Sequence, residues 1–182
     1  MNIIGIVGSL RKRSYNRAVM EAAKELVPAG TDVEIVDIGN LPLFNQDVEA
    51  TAFPMEAQAL KDKIKTADGI IIATPEYNRS IPGVLKNAID WASRPYGQNA
   101  FAGKPVLTMG ASGGMIGTAL AQGHLKNILL YLDMRLMGQP ELYLTAIHEK
   151  VDAATGKLTD QVTREHLAKA LAAFVEFAEK NK

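Results

Sequence analysis

The chain has 182 residues, 47% hydrophobic and 22% charged, which is enough for one well-buried core and short for two. Twenty basic residues balance 20 acidic ones, so no global field draws in nucleic acid or an anionic membrane, and neither is expected as a partner. Cysteine is absent, which excludes disulfides, thiolate catalysis, cysteine-based zinc sites and iron–sulfur clusters. No apolar run reaches the roughly 20 residues that span a bilayer, and the first residues lack a signal-peptide pattern; one cytoplasmic domain over residues 1–182 is expected.

In chain order, Ile3-Ile4-Gly5-Ile6-Val7 predicts a buried strand. Arg17 to Val27 predicts a helix with Val19, Met20, Ala23, Leu26 and Val27 on one side, ended by Pro28-Ala29-Gly30. Val33 to Ile38 is a second strand, and a loop with Leu41-Pro42-Leu43-Phe44 leads to a helix from about Met55 to Thr66. Gly69 to Thr74 is apolar throughout until its last residue, as suits a strand buried on both faces. A helix near Gly83 to Ala92 and a strand at Pro105 to Gly110 follow. Then come a helix from about Ile116 to Leu132, a last strand near Glu141 to Leu144, and a closing helix near Thr163 to Glu179. This alternation predicts an α/β protein: a three-layer sandwich with a five-stranded parallel sheet in the flavodoxin-like order 2-1-3-4-5. Ligands of such sheets lie beyond the carboxyl ends of the strands, where the order reverses. The loops after strands one, three and four therefore converge on one site.

The first loop carries Ser9, Arg11, Ser14 and Asn16 after the hinge Gly8, and it feeds a helix N-terminus. Unpaired N–H groups, the positive end of the helix dipole, hydroxyls and a guanidinium together suit a phosphate. The spacing matches neither the nucleoside-triphosphate P-loop nor the dinucleotide Gly-x-Gly-x-x-Gly pattern, so a mononucleotide is favoured. In the second loop, Thr74 to Gly83, two prolines and a glycine fix a backbone edge against which a flat heterocycle can lie, with Tyr77 beside it. The third, Gly110-Ala111-Ser112-Gly113-Gly114, permits close backbone approach and adds a hydroxyl.

With these residues in view the chain resembles the NADPH-dependent FMN reductase family of flavodoxin-like proteins, on its quinone- and chromate-reducing branch. Gly8-Ser9-Leu10-Arg11, Ser14 and Asn16 carry the likeness in the first loop, and the long run from Pro75 to Trp91 carries it in the second. The resemblance implies non-covalent FMN with NADPH or NADH as co-substrate, in ping-pong transfer to quinones and related electrophiles. By position it implies that Ser9, Arg11, Ser14 and Asn16 hold the FMN phosphate. Pro75, Glu76, Tyr77 and Asn78 would line the isoalloxazine, mainly through backbone groups, with Ser112, Gly113 and Gly114 at the ring's other edge. Some relatives place an arginine in an inter-subunit network with a glutamate and the loop tyrosine; here Lys126 stands there, with Glu141 and Tyr77 as candidate partners.

The cofactor carries the chemistry in this reading, so no catalytic side chain is expected, and the spacing of His124, His148 and His166 suggests no metal site. Trp91 is expected to pack and Lys86 with Asp90 to form a surface ion pair. Lys12 and Arg13 are either solvated or attract the 2′-phosphate of NADPH. Leu125, Ile128, Leu129 and Leu132 face the sheet, while Leu130 and Tyr131 add a second apolar surface, which predicts a homodimer or homotetramer. Two rival functions stay open: a flavin reductase that releases reduced FMN to a partner, and a flavodoxin-type electron carrier. The balanced charge disfavours the carrier.

Overall fold

In the computed structural model, which describes residues 1–181, the apolar runs become the strands of one sheet. They are β1 (Asn2–Val7), β2 (Asp32–Val36), β3 (Gly69–Ala73), β4 (Pro105–Ala111), β5 (Arg135–Leu136) and β6 (Leu142–Leu144). Helices α1 (Tyr15–Leu26), α2 (Gln46–Thr51), α3 (Met55–Thr66), α4 (Gly83–Ala92), α5 (Ala119–Tyr131) and α6 (Gln161–Lys180) lie between and after them. All pairings are parallel, in the order β2-β1-β3-β4-β5, with β6 also on β4. This is the expected 2-1-3-4-5 arrangement, with one difference at the edge. The fifth position is filled by two short strands: Arg135 and Leu136 pair with the start of β4, and Leu142 to Leu144 with its end. Between them Gly138-Gln139-Pro140 breaks the ladder, because proline donates no N–H.

Alternation along the strands builds two cores. Ile4, Ile6, Ile70 and Ile72 face α3, α4 and α5, whereas Ile3, Val7, Ile71 and Ala73 face α1 and α6. The central strands are buried on both sides, which is why β3 and β4 carry hardly a polar residue. Leu125, Leu129 and Leu132 of the α5 segment are buried as the periodicity predicts, and Leu167, Leu171, Phe174 and Ala178 form the buried stripe of α6. Helix α2 was not anticipated, since Gln46 to Thr51 has no apolar period and none of its residues is buried. Asn45 caps it by accepting from the Asp47 N–H.

Trp91 is fully buried, with Phe44 and Phe53 edge-on at 4.9 and 5.3 Å, so it packs as expected. Its indole N–H and the Asn87 amide both donate to the Pro42 carbonyl, and Asn87 also accepts from the Phe44 N–H. These three bonds hold the Leu41–Phe44 loop against α4.

Candidate functional site

Register brings the three loops to one rim. Val7 pairs with Ala73, and Ala73 with Met109, so β1, β3 and β4 end side by side. Two backbone bonds continue the ladder into the loops, from Gly8 N–H to the Ala73 carbonyl and from Thr74 N–H to the Met109 carbonyl. Gly110 lies where no side chain fits: a Cβ there would overlap the Thr118 hydroxyl and the Thr74 carbonyl oxygen.

In the first loop, Ser14 is buried and caps α1, its hydroxyl accepting from Arg17 N–H at 3.2 Å. Asn16 is also buried, and its amide exchanges two bonds with the Ala111 backbone, so it ties this loop to the end of β4. Ser9 is half-buried, and Arg11 is exposed with its guanidinium 4.8 Å from the Tyr15 ring centroid. Among the described residues, no main-chain hydrogen bond is donated from Ser9 through Asn16. These N–H groups, the hydroxyls and the helix N-terminus form a donor set that fits a phosphate monoester.

The second loop folds back on itself. Tyr77 and Ser80 exchange two backbone bonds, and Asn78 and Arg79 between them both have positive φ, 51° and 66°, as a type I′ turn requires. Pro75 is buried and Tyr77 is half-exposed. The Glu76 side chain has a task that spacing did not reveal. Its carboxylate accepts from Leu120 N–H and Ala121 N–H, both at 3.1 Å, and so caps α5 from outside the helix. Thr118, at the capping position itself, makes no side-chain cap bond. His124 on α5 lies 3.1 Å from the Ser80 hydroxyl, a second link between this loop and that helix.

In the third loop, Ser112 Oγ accepts from Gly114 N–H at 3.0 Å, and the Ser112 backbone bonds Leu144 and Ile147. Both glycines are exposed with ordinary φ; a Cβ at Gly113 would meet only His148 Nδ1, at 3.5 Å. Internal packing requires neither glycine, and an open shelf is left beside Ser112. Behind it a buried polar chain fixes α5: Thr108 bonds Gln122, whose amide donates to Thr118 Oγ1 and to the Leu142 carbonyl.

Lys126 does pair with Glu141, at 2.8 Å, and within the same chain its second partner is Tyr143. The reason is geometric: Glu141 and Tyr143 lie two residues apart at β6 and present side chains to the same face. Burial opposes the charge on Lys126, but the bonds to Glu141 and Tyr143 outweigh it and raise the ammonium pKa. The same bonds, from Lys126 and then Tyr143, hold the Glu141 carboxyl below its ordinary range. Lys86 and Asp90 form the expected ion pair at 2.8 Å. Among the described residues no three His, Asp or Glu side chains gather in a metal-like cluster.

A doubly wound parallel sheet with a phosphate-suited first loop and two further loops locked to the same rim defines a flavodoxin-like mononucleotide-binding protein. The comparisons narrow that class. Residues 1–149 match the family model of the NADPH-dependent FMN reductases, and the chain belongs to that family. It is 48% identical over 167 residues to a 2-hydroxy-1,4-benzoquinone reductase from Burkholderia, covering 92% of this chain and 90% of the relative. It is 44% identical over 184 residues to the quinone reductase of Escherichia coli K12, covering 100% of this chain and 97% of that one. Among solved structures it resembles FerB, a flavoenzyme NAD(P)H:(acceptor) oxidoreductase from Paracoccus denitrificans. The TM-score there is 0.90 at 44% identity, over 99% of this chain and 98% of the other.

Proposed function

We propose that this protein is an FMN-dependent NAD(P)H oxidoreductase that reduces quinones and related electrophiles, with chromate and azo compounds as further candidate acceptors. The carrying observation is the donor set of the first loop, bound by Asn16 to the end of β4 and facing the same rim as the other two loops. The names of the relatives, quinone reductases at 44–48% identity over nearly the whole chain, support the choice of acceptor.

In this reading Ser9, Arg11, Ser14 and the N–H groups of the first turn of α1 hold the phosphate of FMN. Asn16 positions that loop, and its second amide hydrogen is left for the ligand. Pro75, Glu76, Tyr77 and Asn78 border the ring through their backbone, while Ser112, Gly113 and Gly114 offer the flat shelf opposite. Bound FMN supplies the redox chemistry, accepting a hydride from NAD(P)H and passing two electrons to the acceptor. The protein orients the nicotinamide and acceptor in turn over one open face and directs backbone N–H groups at the developing charge. No acid–base side chain is assigned.

The chain is also read as a homodimer or homotetramer. Leu130 and Tyr131 on α5 are 63% and 85% exposed, although they flank the buried Leu129 and Leu132, and a second copy would cover them. Light scattering at micromolar concentration tests the assembly.

The test of function is an absorbance spectrum of the purified protein followed by steady-state NADPH oxidation with benzoquinone. A flavin spectrum and parallel-line kinetics are expected. A folded protein that binds no FMN would end this reading, and bound FMN without turnover would favour the electron carrier. Rapid loss of reduced FMN would favour a flavin reductase.

A further inference from the structure

A cavity of about 620 Å³ opens on the far side of the first loop, between α1 and the segment that follows β6. That size lies within the range of small-molecule sites. One wall is a hairpin in which Val151 pairs with Leu158, Asp152 N–H donates to the Lys157 carbonyl, and Gly156 turns the chain at φ 71°. This hairpin lies beyond residue 149, outside the part of the chain that the family model matches.

Six cationic side chains line the cavity: Arg11, Lys12, Arg13, Arg17, Lys157 and Arg164. Three acidic ones, Glu21, Glu25 and Asp152, leave a formal excess of three positive charges in a protein whose net charge is zero. Each acid is already engaged. Glu21 pairs with Arg17 at 2.8 Å, Glu25 with Arg164 at 3.1 Å, and Asp152 accepts from the Thr155 N–H and hydroxyl. Lys12 and Lys157 form no ion pair among the described residues, and Arg13 makes one long bond, 3.4 Å, to the Ala153 carbonyl. Ala18, Ala22 and Leu158 supply an apolar floor. Cations around an apolar floor suit a phosphate monoester carried on a flat base.

The cavity adjoins the proposed flavin site at two points. Arg11 and Ser14 are common to both, and His148 on the cavity wall has its Nδ1 3.5 Å from where a Cβ at Gly113 would stand. We propose that this cavity holds the 2′-phosphoadenosine end of NADPH, with Lys12 and Arg13 from the first loop and Lys157 from the hairpin on the 2′-phosphate. The proposal rests on the reading that FMN occupies the three loops, because only then is the nicotinamide end held beside Gly113. It makes the protein select NADPH over NADH through a segment separate from the flavin loops.

The test is calorimetric titration of the FMN-loaded protein with adenosine 2′,5′-bisphosphate, with 5′-AMP and inorganic phosphate as controls. The bisphosphate should bind at least about tenfold more tightly than 5′-AMP, as charge-assisted bonds to one added phosphate imply. The double variant Lys12→Gln/Arg13→Gln, and separately Lys157→Gln, should each lower that affinity and the kcat/KM ratio of NADPH to NADH, the double by about tenfold. Flavin absorbance, read in the same samples, should stay at wild-type occupancy. Equal binding of bisphosphate and 5′-AMP, or binding indifferent to these substitutions, overturns the proposal. So does bisphosphate binding only to flavin-free protein and displaced by FMN, because the cavity would then serve the flavin phosphate. Protein that takes the bisphosphate but never FMN would support the cavity while refuting the flavin reading.

Discussion

Asn16 and Ala111, 95 residues apart in the chain, exchange a matched pair of bonds: the Asn16 amide nitrogen donates to the Ala111 carbonyl at 3.0 Å, and its oxygen accepts from the Ala111 N–H at 2.9 Å. An asparagine presents a donor and an acceptor in one plane, matching the edge of a peptide group. This pair holds the first loop to the strand that leads into the third. Asn16→Leu leaves both backbone groups unpaired in a buried place, at a cost on the order of 2–4 kcal/mol. Urea denaturation should show that loss, and flavin titration should show weaker binding because the first and third loops are no longer tied.

Gly110 should tolerate no replacement. Gly110→Ala drives a methyl group into the Thr118 hydroxyl and the Thr74 carbonyl, and the strained strand should lose about 3 kcal/mol or more. Adding Thr118→Ala removes only one of the two obstacles. The double variant should stay well below wild type in thermal melting, since the Thr74 oxygen belongs to the backbone and cannot turn aside.

The Lys126–Glu141–Tyr143 cluster predicts a pH signature. Glu141 has its folded pKa lowered, so its contribution is present above the ordinary carboxylate range and disappears as pH falls through the folded value. Lys126 has its folded pKa raised, so its share is present at neutral pH and disappears only as pH rises through that higher value. Both side chains are partly exposed, which limits the pair to under about 1 kcal/mol. The stability difference between wild type and Glu141→Gln should be flat from about pH 6 to 9 and shrink as pH falls below the ordinary carboxylate range. A difference unchanged at low pH would show that the carboxylate charge plays no part.

Arg11→Ala should weaken FMN binding by about 1.5–3 kcal/mol, the range for hydrogen bonds to charged groups, with little loss of stability because the side chain is exposed. Arg11→Lys should recover part of it, keeping the charge while losing the planar fork. Wild-type flavin affinity in Arg11→Ala would remove this residue from the phosphate site.

The central strands and the core stripe of α5 could be read from the sequence because they follow from local periodicity, and the sheet order because strands alternate with helices under the chirality rule for crossovers. Burial of β3 on both faces demands its apolar run, and a helix against a sheet demands a stripe. The loops that form the rim were legible for the same reason: each is the polar break after such a run. Helix α2 was not, since six residues with only Val48 and Ala50 apolar carry no period, and only the Asn45 cap marks their start.

What folding alone decided is which side chains also hold the site together. By residue type, Ser14, Asn16 and Glu76 all suit a ligand, and sequence gives no means of telling a binding group from a bracing one. In three dimensions Ser14 caps α1, Asn16 grips Ala111 and Glu76 caps α5. The split of the edge strand, the partnership of Lys126 with Tyr143, and the cationic cavity built by α1 and a distant hairpin have the same origin. Composition and spacing fix which groups a chain owns and which face each takes. Contacts between residues far apart in the chain depend on how finished elements pack, and no local pattern encodes that.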